Sequence, residues 1–321
     1  MGFIAVHRGL SLGVARPVIK LLIFFLALLY TAGVATVRSA PLGLETDKFV
    51  PDSLVYFSPQ NKGYILLVEK AHQKAFVYDT QNLAGPLRAY PCSTGENRGP
   101  KTKKNDKKTP EGIYFVINSF LRKDLTPIYG DRAFPLDYPN ERDRKLGRRG
   151  YGIWIHGTNE ALKPRDTNGC IVFTNEDIRD LAGYVSERYT PVIITQEINF
   201  VEKERLLRER AQLKSFIDNW ANAWKGGHID RYMSFYAKDF AGQGKTRLQW
   251  QAYKKRLSQR YGAVEISIEN LQILREGGIV LAKFKQTYRA DGFHSFGEKR
   301  LYLQQKSPEW KIVDEFFERQ W

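Results

Sequence analysis

The segment Gly152-Ile153-Trp154-Ile155-His156-Gly157-Thr158, followed after a short spacer by Asp166-Thr167-Asn168-Gly169-Cys170-Ile171, decides how this chain is read. The run from Gly152 to Ile155 reads as a β-strand ending at His156. A thiol is a useful nucleophile only as the thiolate, and an imidazole beside it can take the proton. Gly169 lets the backbone turn tightly, so that consecutive N–H groups can converge on a developing oxyanion. His156 and Cys170 stand 14 positions apart, which lets a strand end and a glycine turn meet in space. On residue types alone, a buried cysteine and a structural histidine give the same pattern.

Upstream, Ile65-Leu66-Leu67-Val68 and Ala75-Phe76-Val77-Tyr78, separated by the polar His72-Gln73-Lys74, carry a hairpin signal. Ala89 to Thr94 extends that sheet. A hydrophilic stretch from Gly95 to Lys108 holds Arg98, Lys101, Lys103, Lys104, Lys107 and Lys108. Thr109-Pro110-Glu111-Gly112 is turn chemistry, and Ile113 to Ile117 reads as the next strand. A second basic run lies at 142–149. Downstream, Asn175 to Tyr184 is expected as a helix capped by Asn175, with Glu176 and Asp177 in its first turn. Pro191 to Thr195 closes the region as a strand. Both basic runs flank the His–Cys segment; they read as solvated loops or as docking sites for an anionic glycan-peptide.

Taken in this order, residues 61–197 resemble the YkuD-type L,D-transpeptidase catalytic domain. The resemblance is carried by His156-Gly157, a spacer, then Thr167-Asn168-Gly169-Cys170-Ile171. The hairpin, Ser93-Thr94-Gly95 and Thr109-Pro110-Glu111-Gly112-Ile113-Tyr114 precede it in the family's order. It implies a mainly β fold, a β-sandwich with short helices, acting on peptidoglycan stem peptides without metal or cofactor. It implies Cys170 as nucleophile, His156 as general base and proton carrier, and backbone N–H groups of Gly169 and Cys170 as the oxyanion site. Attack at the carbonyl of the diamino acid at position three would expel D-alanine. An amine acceptor then gives a cross-link or protein attachment, whereas water trims tetrapeptide to tripeptide. Gly157, Thr167 and Asn168 are substrate-binding candidates. The chain departs from the family twice: Val172 stands where many members carry Arg, and Asn168 where many carry His. Arg149 and Arg165 are candidates, by nearness in sequence, for the missing guanidinium, and the base assignment rests wholly on His156. Cys92, in a β-like run, reads as a small buried hydrophobe; a disulfide to Cys170 would block the nucleophile.

Composition changes near residue 200. Leu206, Leu213, Ile217, Trp220 and Trp224 recur at helical spacing, and Gly226-Gly227 stops that helix. Two further amphipathic stretches follow, 229–240 and 248–261, then four β-like runs at 264–273, 279–289, 297–305 and 310–316. Helices before a strand meander indicate a separate α+β domain, expected over 203–321 with the boundary between 196 and 204. It resembles the nuclear-transport-factor-2-like cone, in which Tyr232, Phe235 and Phe284 either line an open cavity or fill the core. Proteins resembling this pairing of domains include L,D-carboxypeptidases that influence cell shape. That fold hosts enzymes and binding modules alike, so a non-catalytic wall-binding protein is the reading from another class.

The 321 residues carry 50 Lys and Arg against 35 Asp and Glu, a net charge of +15, with only two cysteines and five histidines. This excludes a disulfide-rich scaffold and a multi-cysteine metal site. His7, Arg8, Arg16 and Lys20 lead into an apolar run, Leu21 to Val37, and no acidic residue precedes Glu45. A basic lead before an apolar core is the pattern of an export signal. Residues 1–40 are therefore expected as a signal peptide or a single membrane anchor, 41–60 as a linker, and the protein as one of the cell envelope or periplasm. Outside the cytoplasm, a basic surface suits an anionic cell wall rather than nucleic acid.

Overall fold

The computed structural model describes residues 48–261 and 264–320. The expected export segment, 1–40, lies outside them. Among the described residues, no helix is long and apolar enough to cross a membrane.

The strand Tyr64–Glu69 organises the first domain. Its run Ile65 to Val68 is fully buried, with Leu66 and Val68 in one core and Ile65 and Leu67 in another. A strand apolar at every position is one covered on both faces. It lies in the middle of a five-stranded sheet, ordered Arg88–Pro91, Lys74–Asp79, Tyr64–Glu69, Pro191–Thr195, Gly112–Phe115. Pro191–Thr195 runs parallel to Tyr64–Glu69, and the other pairs are antiparallel. A second sheet, ordered Ile171–Thr174, Trp154–Thr158, Arg132–Pro135, Phe120–Leu121, covers one face. Between the two sheets, Leu66, Val77, Phe134, Ile155, Ile171 and Phe173 form the core of the sandwich.

The second domain sets a five-stranded antiparallel sheet against the helices Lys203–Lys225, Ile229–Ser234 and Arg247–Tyr261. Leu206, Leu213, Ile217, Trp220 and Trp224 form the buried stripe of the long helix. Its backbone leaves the helix at Gly226 and Gly227, the latter at φ +67°, where glycine is favoured. Tyr232 and Phe284 are buried in the core, with Phe235 packed against it, so these aromatics fill the cone instead of lining an open cavity.

Two expectations change. Residues 41–60 are not simply a linker: Phe49–Pro51 pairs with Phe200–Glu202, and Leu54–Phe57 joins the second domain's sheet beside Val264–Glu276. The reason is composition, since Val55 and Tyr56 enter the cone's core while Leu54 and Phe57 enter the core shared with the first domain. Besides its own core, each domain also contributes to a shared one. Ile65, Leu67, Ile113 and Ile193 of the first pack with Leu274, Leu281, Tyr302 and Val313 of the second in one apolar cluster.

Candidate active site

Strand register carries His156 and Cys170 on neighbouring strand segments. Ile171–Thr174 runs parallel to Trp154–Thr158, with Ile171 beside Ile155 and Val172 beside His156. Ile155, Ile171 and Phe173 point into the sandwich core. Side chains alternate across a strand, so Trp154, His156, Cys170 and Val172 share the opposite face. Cys170 then lies beside Trp154, diagonal to His156.

The imidazole is buried and fixed. Nδ1 lies 2.7 Å from the carbonyl oxygen of Gly157. A carbonyl only accepts, so Nδ1 carries the proton and Nε2 keeps its lone pair. Tyr129 meets the ring edge-on at 5.0 Å, and Trp154 is stacked between Tyr129 and Phe120. Burial holds His156 below the ordinary imidazole value, against the bond to Gly157, which raises it. Burial pushes the Cys170 thiol up, while the Trp154 backbone N–H and the Lys101 ammonium pull it down. Cys170 Sγ donates to the Gly152 carbonyl at 3.5 Å.

The glycine turn is held from beneath. Gly169 sits at φ +124°, and a β-carbon there would lie 2.6 Å from the Lys108 carbonyl oxygen. Its carbonyl accepts from Thr109 Oγ1 at 2.9 Å, and that hydroxyl accepts from Gly95 N–H at 2.8 Å. Lys70, 1% exposed, donates to the carbonyls of Gly99 and Thr109 and pairs with Glu111 at 2.9 Å. Thr167 Oγ1 accepts from Gly169 N–H at 3.0 Å and donates to the Cys170 carbonyl at 2.8 Å. Thr167 therefore shapes the turn, and the Gly169 N–H expected in the oxyanion site is engaged in this state. Asn168 is exposed at the pocket beside Cys170. Gly157 is buried against Asn175 and Ile178, and its part is the carbonyl that orients His156.

Neither arginine lines that pocket. Arg165 is drawn toward the first hairpin, its N–H donating to Gln73 at 2.8 Å and Nη2 to the Ala71 carbonyl at 3.2 Å. Arg149 is exposed and tied by its backbone to Thr102. The charge beside Cys170 comes from the first basic run. Lys101, Lys104 and Lys107, with Asn105, Gly150, Tyr151, Gly152, Ile153 and Asn168, surround Cys170 in a cavity of about 470 Å³. Lys101 is buried and held by Asp106 at 2.6 Å. Asp106 in turn accepts the backbone N–H groups of Thr102 and Lys103. Both cysteines are free; Cys92 is buried, its thiol pushed up to about 12 by desolvation. The helix cap expected at Asn175 is Thr174, whose Oγ1 accepts from Asp177 N–H at 3.1 Å. Asn175 instead accepts from Asp131 N–H.

The two-sheet, mainly β sandwich agrees with the L,D-transpeptidase catalytic domain that the sequence resembles. Residues 63–194 match that family, YkuD, and residues 212–316 match the Cds6 C-terminal NTF2-like domain. The chain thus carries a YkuD L,D-transpeptidase catalytic domain followed by an NTF2-like domain. Among solved structures it is similar to Bd1075 of Bdellovibrio bacteriovorus, with 28% identity and a TM-score of 0.74 over 85% of this chain and 99% of that one. It is also similar to Pgp2, the helical cell shape determining protein of Campylobacter jejuni, at 26% identity and a TM-score of 0.70. That likeness covers 83% of this chain and 95% of the other. The candidate L,D-transpeptidase YafK of Escherichia coli strain K12 is 32% identical over 95 residues, 30% of this chain and 35% of that protein. The match therefore spans about a third of YafK's length.

Proposed function

We propose that this protein is a peptidoglycan-modifying cysteine enzyme of the cell envelope, cleaving the bond between the diamino acid and D-alanine in stem peptides. The observation that carries it is the lysine-walled pocket with Cys170 at its edge and His156 on the same sheet face. His156 Nε2 takes the thiol proton as Sγ bonds to the carbonyl carbon. The carbon–nitrogen bond then breaks, and the proton leaves on the amine of D-alanine. Of the two oxyanion donors expected, Cys170 N–H remains, and the lysines meet the substrate carboxylates. In the second half-reaction an acceptor, deprotonated by His156, breaks the thioester and restores the thiol.

An amine acceptor makes the enzyme an L,D-transpeptidase, and water makes it an L,D-carboxypeptidase. The likeness across both domains to a cell shape determining protein favours water, with trimming of tetrapeptide to tripeptide. The test is mass spectrometry of disaccharide-tetrapeptide incubated with the described domains, beside Cys170→Ala. Tripeptide formed only with Cys170 intact establishes trimming, and dimers joined through two diamino acids establish cross-linking. If both proteins leave the substrate unchanged while still binding murein, the wall-binding reading replaces the enzyme.

A further inference from the structure

We infer that Asp314, in the second domain, is a positioning residue for the catalytic pocket: by holding the helix Glu141–Lys145 it fixes both walls beside Cys170. The inference rests on Cys170 being the reactive thiol of the reading above.

The helix has five residues, far too few to be stable without outside contacts. Its N-terminus is closed by a capping box between Asn140 and Asp143. Arg148 and Tyr114 of the first domain reach Asp143, and Glu141, Arg142 and Lys145 are fastened by the second domain. Asp314, 1% exposed, receives both Arg142 and Lys145. Lys145 also donates to the Ala241 carbonyl at 2.9 Å, Arg142 lies over the Tyr302 ring at 5.6 Å, and Glu141 meets Arg300 at 3.1 Å. A buried carboxylate needs its partners, and two cations so close need the carboxylate between them.

From this helix the chain leads into the site. Arg148 donates to Asp143 at 2.9 Å and to the Glu111 carbonyl at 3.2 Å. Arg149 N–H donates to the Thr102 carbonyl at 2.9 Å. Tyr138, just before the helix, directs its hydroxyl to the carbonyls of Arg149 and Lys101. Gly150 leaves room for Lys101, because a β-carbon there would lie 2.9 Å from its Cε. Gly150, Tyr151 and Gly152 then form one wall of the pocket, Lys101 to Lys107 the other. Both walls are tied to the residues on either side of the helix that Asp314 holds.

The experiment uses the full chain and reads Cys170 directly. Alkylation at Cys170 by neutral iodoacetamide and by anionic iodoacetate is followed by peptide mass, and the ratio of the two rates reports how near the lysine wall stands. Asp314→Asn is expected to lower the iodoacetate-to-iodoacetamide ratio at least three-fold and to raise deuterium uptake in residues 146–152. Arg142→Gln combined with Lys145→Gln attacks the same link from the more exposed side. It should reproduce the change and serves if Asp314→Asn does not fold. All three substitutions together should do no more than either set alone. Lys283→Met is the comparison, because Lys283 reaches Phe115 and the Arg188 carbonyl across the same domain interface and meets the helix only at second hand, through Glu298 and Arg300. An unchanged ratio in both helix-directed variants overturns the inference, as does an equal change in Lys283→Met, which would mean general loosening. Since alkylation needs no stem peptide, failure on that substrate leaves this result readable.

Discussion

Thr109→Val isolates the support beneath the glycine turn that carries Cys170. Thr109 is fully buried, and its hydroxyl joins two loops, accepting from Gly95 N–H at 2.8 Å and donating to the Gly169 carbonyl at 2.9 Å. Valine keeps the volume and the β-branch but loses both bonds. Each buried polar group left without a partner costs about 1–3 kcal/mol, so the pair costs about 2–6 kcal/mol. A folded domain has about 5–15 kcal/mol in hand, and the variant should fold. At about 2–4 °C per kcal/mol for a chain of this size, its melting midpoint should fall by about 4–24 °C. Turnover should fall further than stability suggests, because the freed carbonyl belongs to the peptide group joining Gly169 to Cys170. Misplacement by an ångström can cost about a hundred-fold in rate. Thr109→Ser keeps the hydroxyl and should stay close to wild type in both measurements. Calorimetry and tetrapeptide turnover on both variants make the comparison. A valine variant melting within about 1 °C of wild type, or a serine variant as damaged as valine, would refute the bridging role.

Gly169→Ala should abolish turnover, since its β-carbon would meet the Lys108 carbonyl at 2.6 Å in a backbone region that side chains avoid; wild-type kcat would sink this account. The acid limb of kcat/KM should lie below the ordinary imidazole value of 6.5, because burial lowers His156, and activity should rise through that limb as Nε2 becomes free. A limb at or above 6.5 contradicts the geometry. Lys299→Met leaves the fully buried Glu315 with less compensation and should cost about 3–5 kcal/mol. Burial pushes Glu315 up, but Lys299 and Lys254 hold it below the usual carboxylate value. Its stabilisation is therefore present above that usual value and lost as pH falls through the lower, folded one. The variant should unfold at higher pH in an acid titration, and an unmoved midpoint would discount the pair.

Sequence reading reached the elements whose signal is local. Ile65 to Val68 announced a strand by apolar run, and Leu206 to Trp224 a helix by spacing. It missed what depends on distant partners. Lys101 stood among six cations, and nothing in the run distinguishes the one that Asp106 buries beside the thiol. Arg149 and Arg165 were closer along the chain, but strand register, rather than sequence distance, sets which loops face Cys170. Thr109 was visible as turn chemistry, yet its bond to Gly169 spans 60 residues. Leu54–Phe57 was read as linker because four residues are too few to show a period.

That short strand alters how the molecule has to be made. Leu54–Phe57 edges a sheet whose other four strands begin at Val264, so the first piece of the second domain is synthesised before the whole catalytic domain and its last piece afterwards. The catalytic domain is spliced into its neighbour, and the pairing of Phe49–Pro51 with Phe200–Glu202 cinches the two splice points together. Until the final strands arrive, the early strand has no sheet to join. A fragment beginning at Lys203 would carry Val264–Glu276 as a bare edge, open to pairing with another chain. The two domains are thus made to mature together, the later one completing itself only by closing back over the start of the earlier.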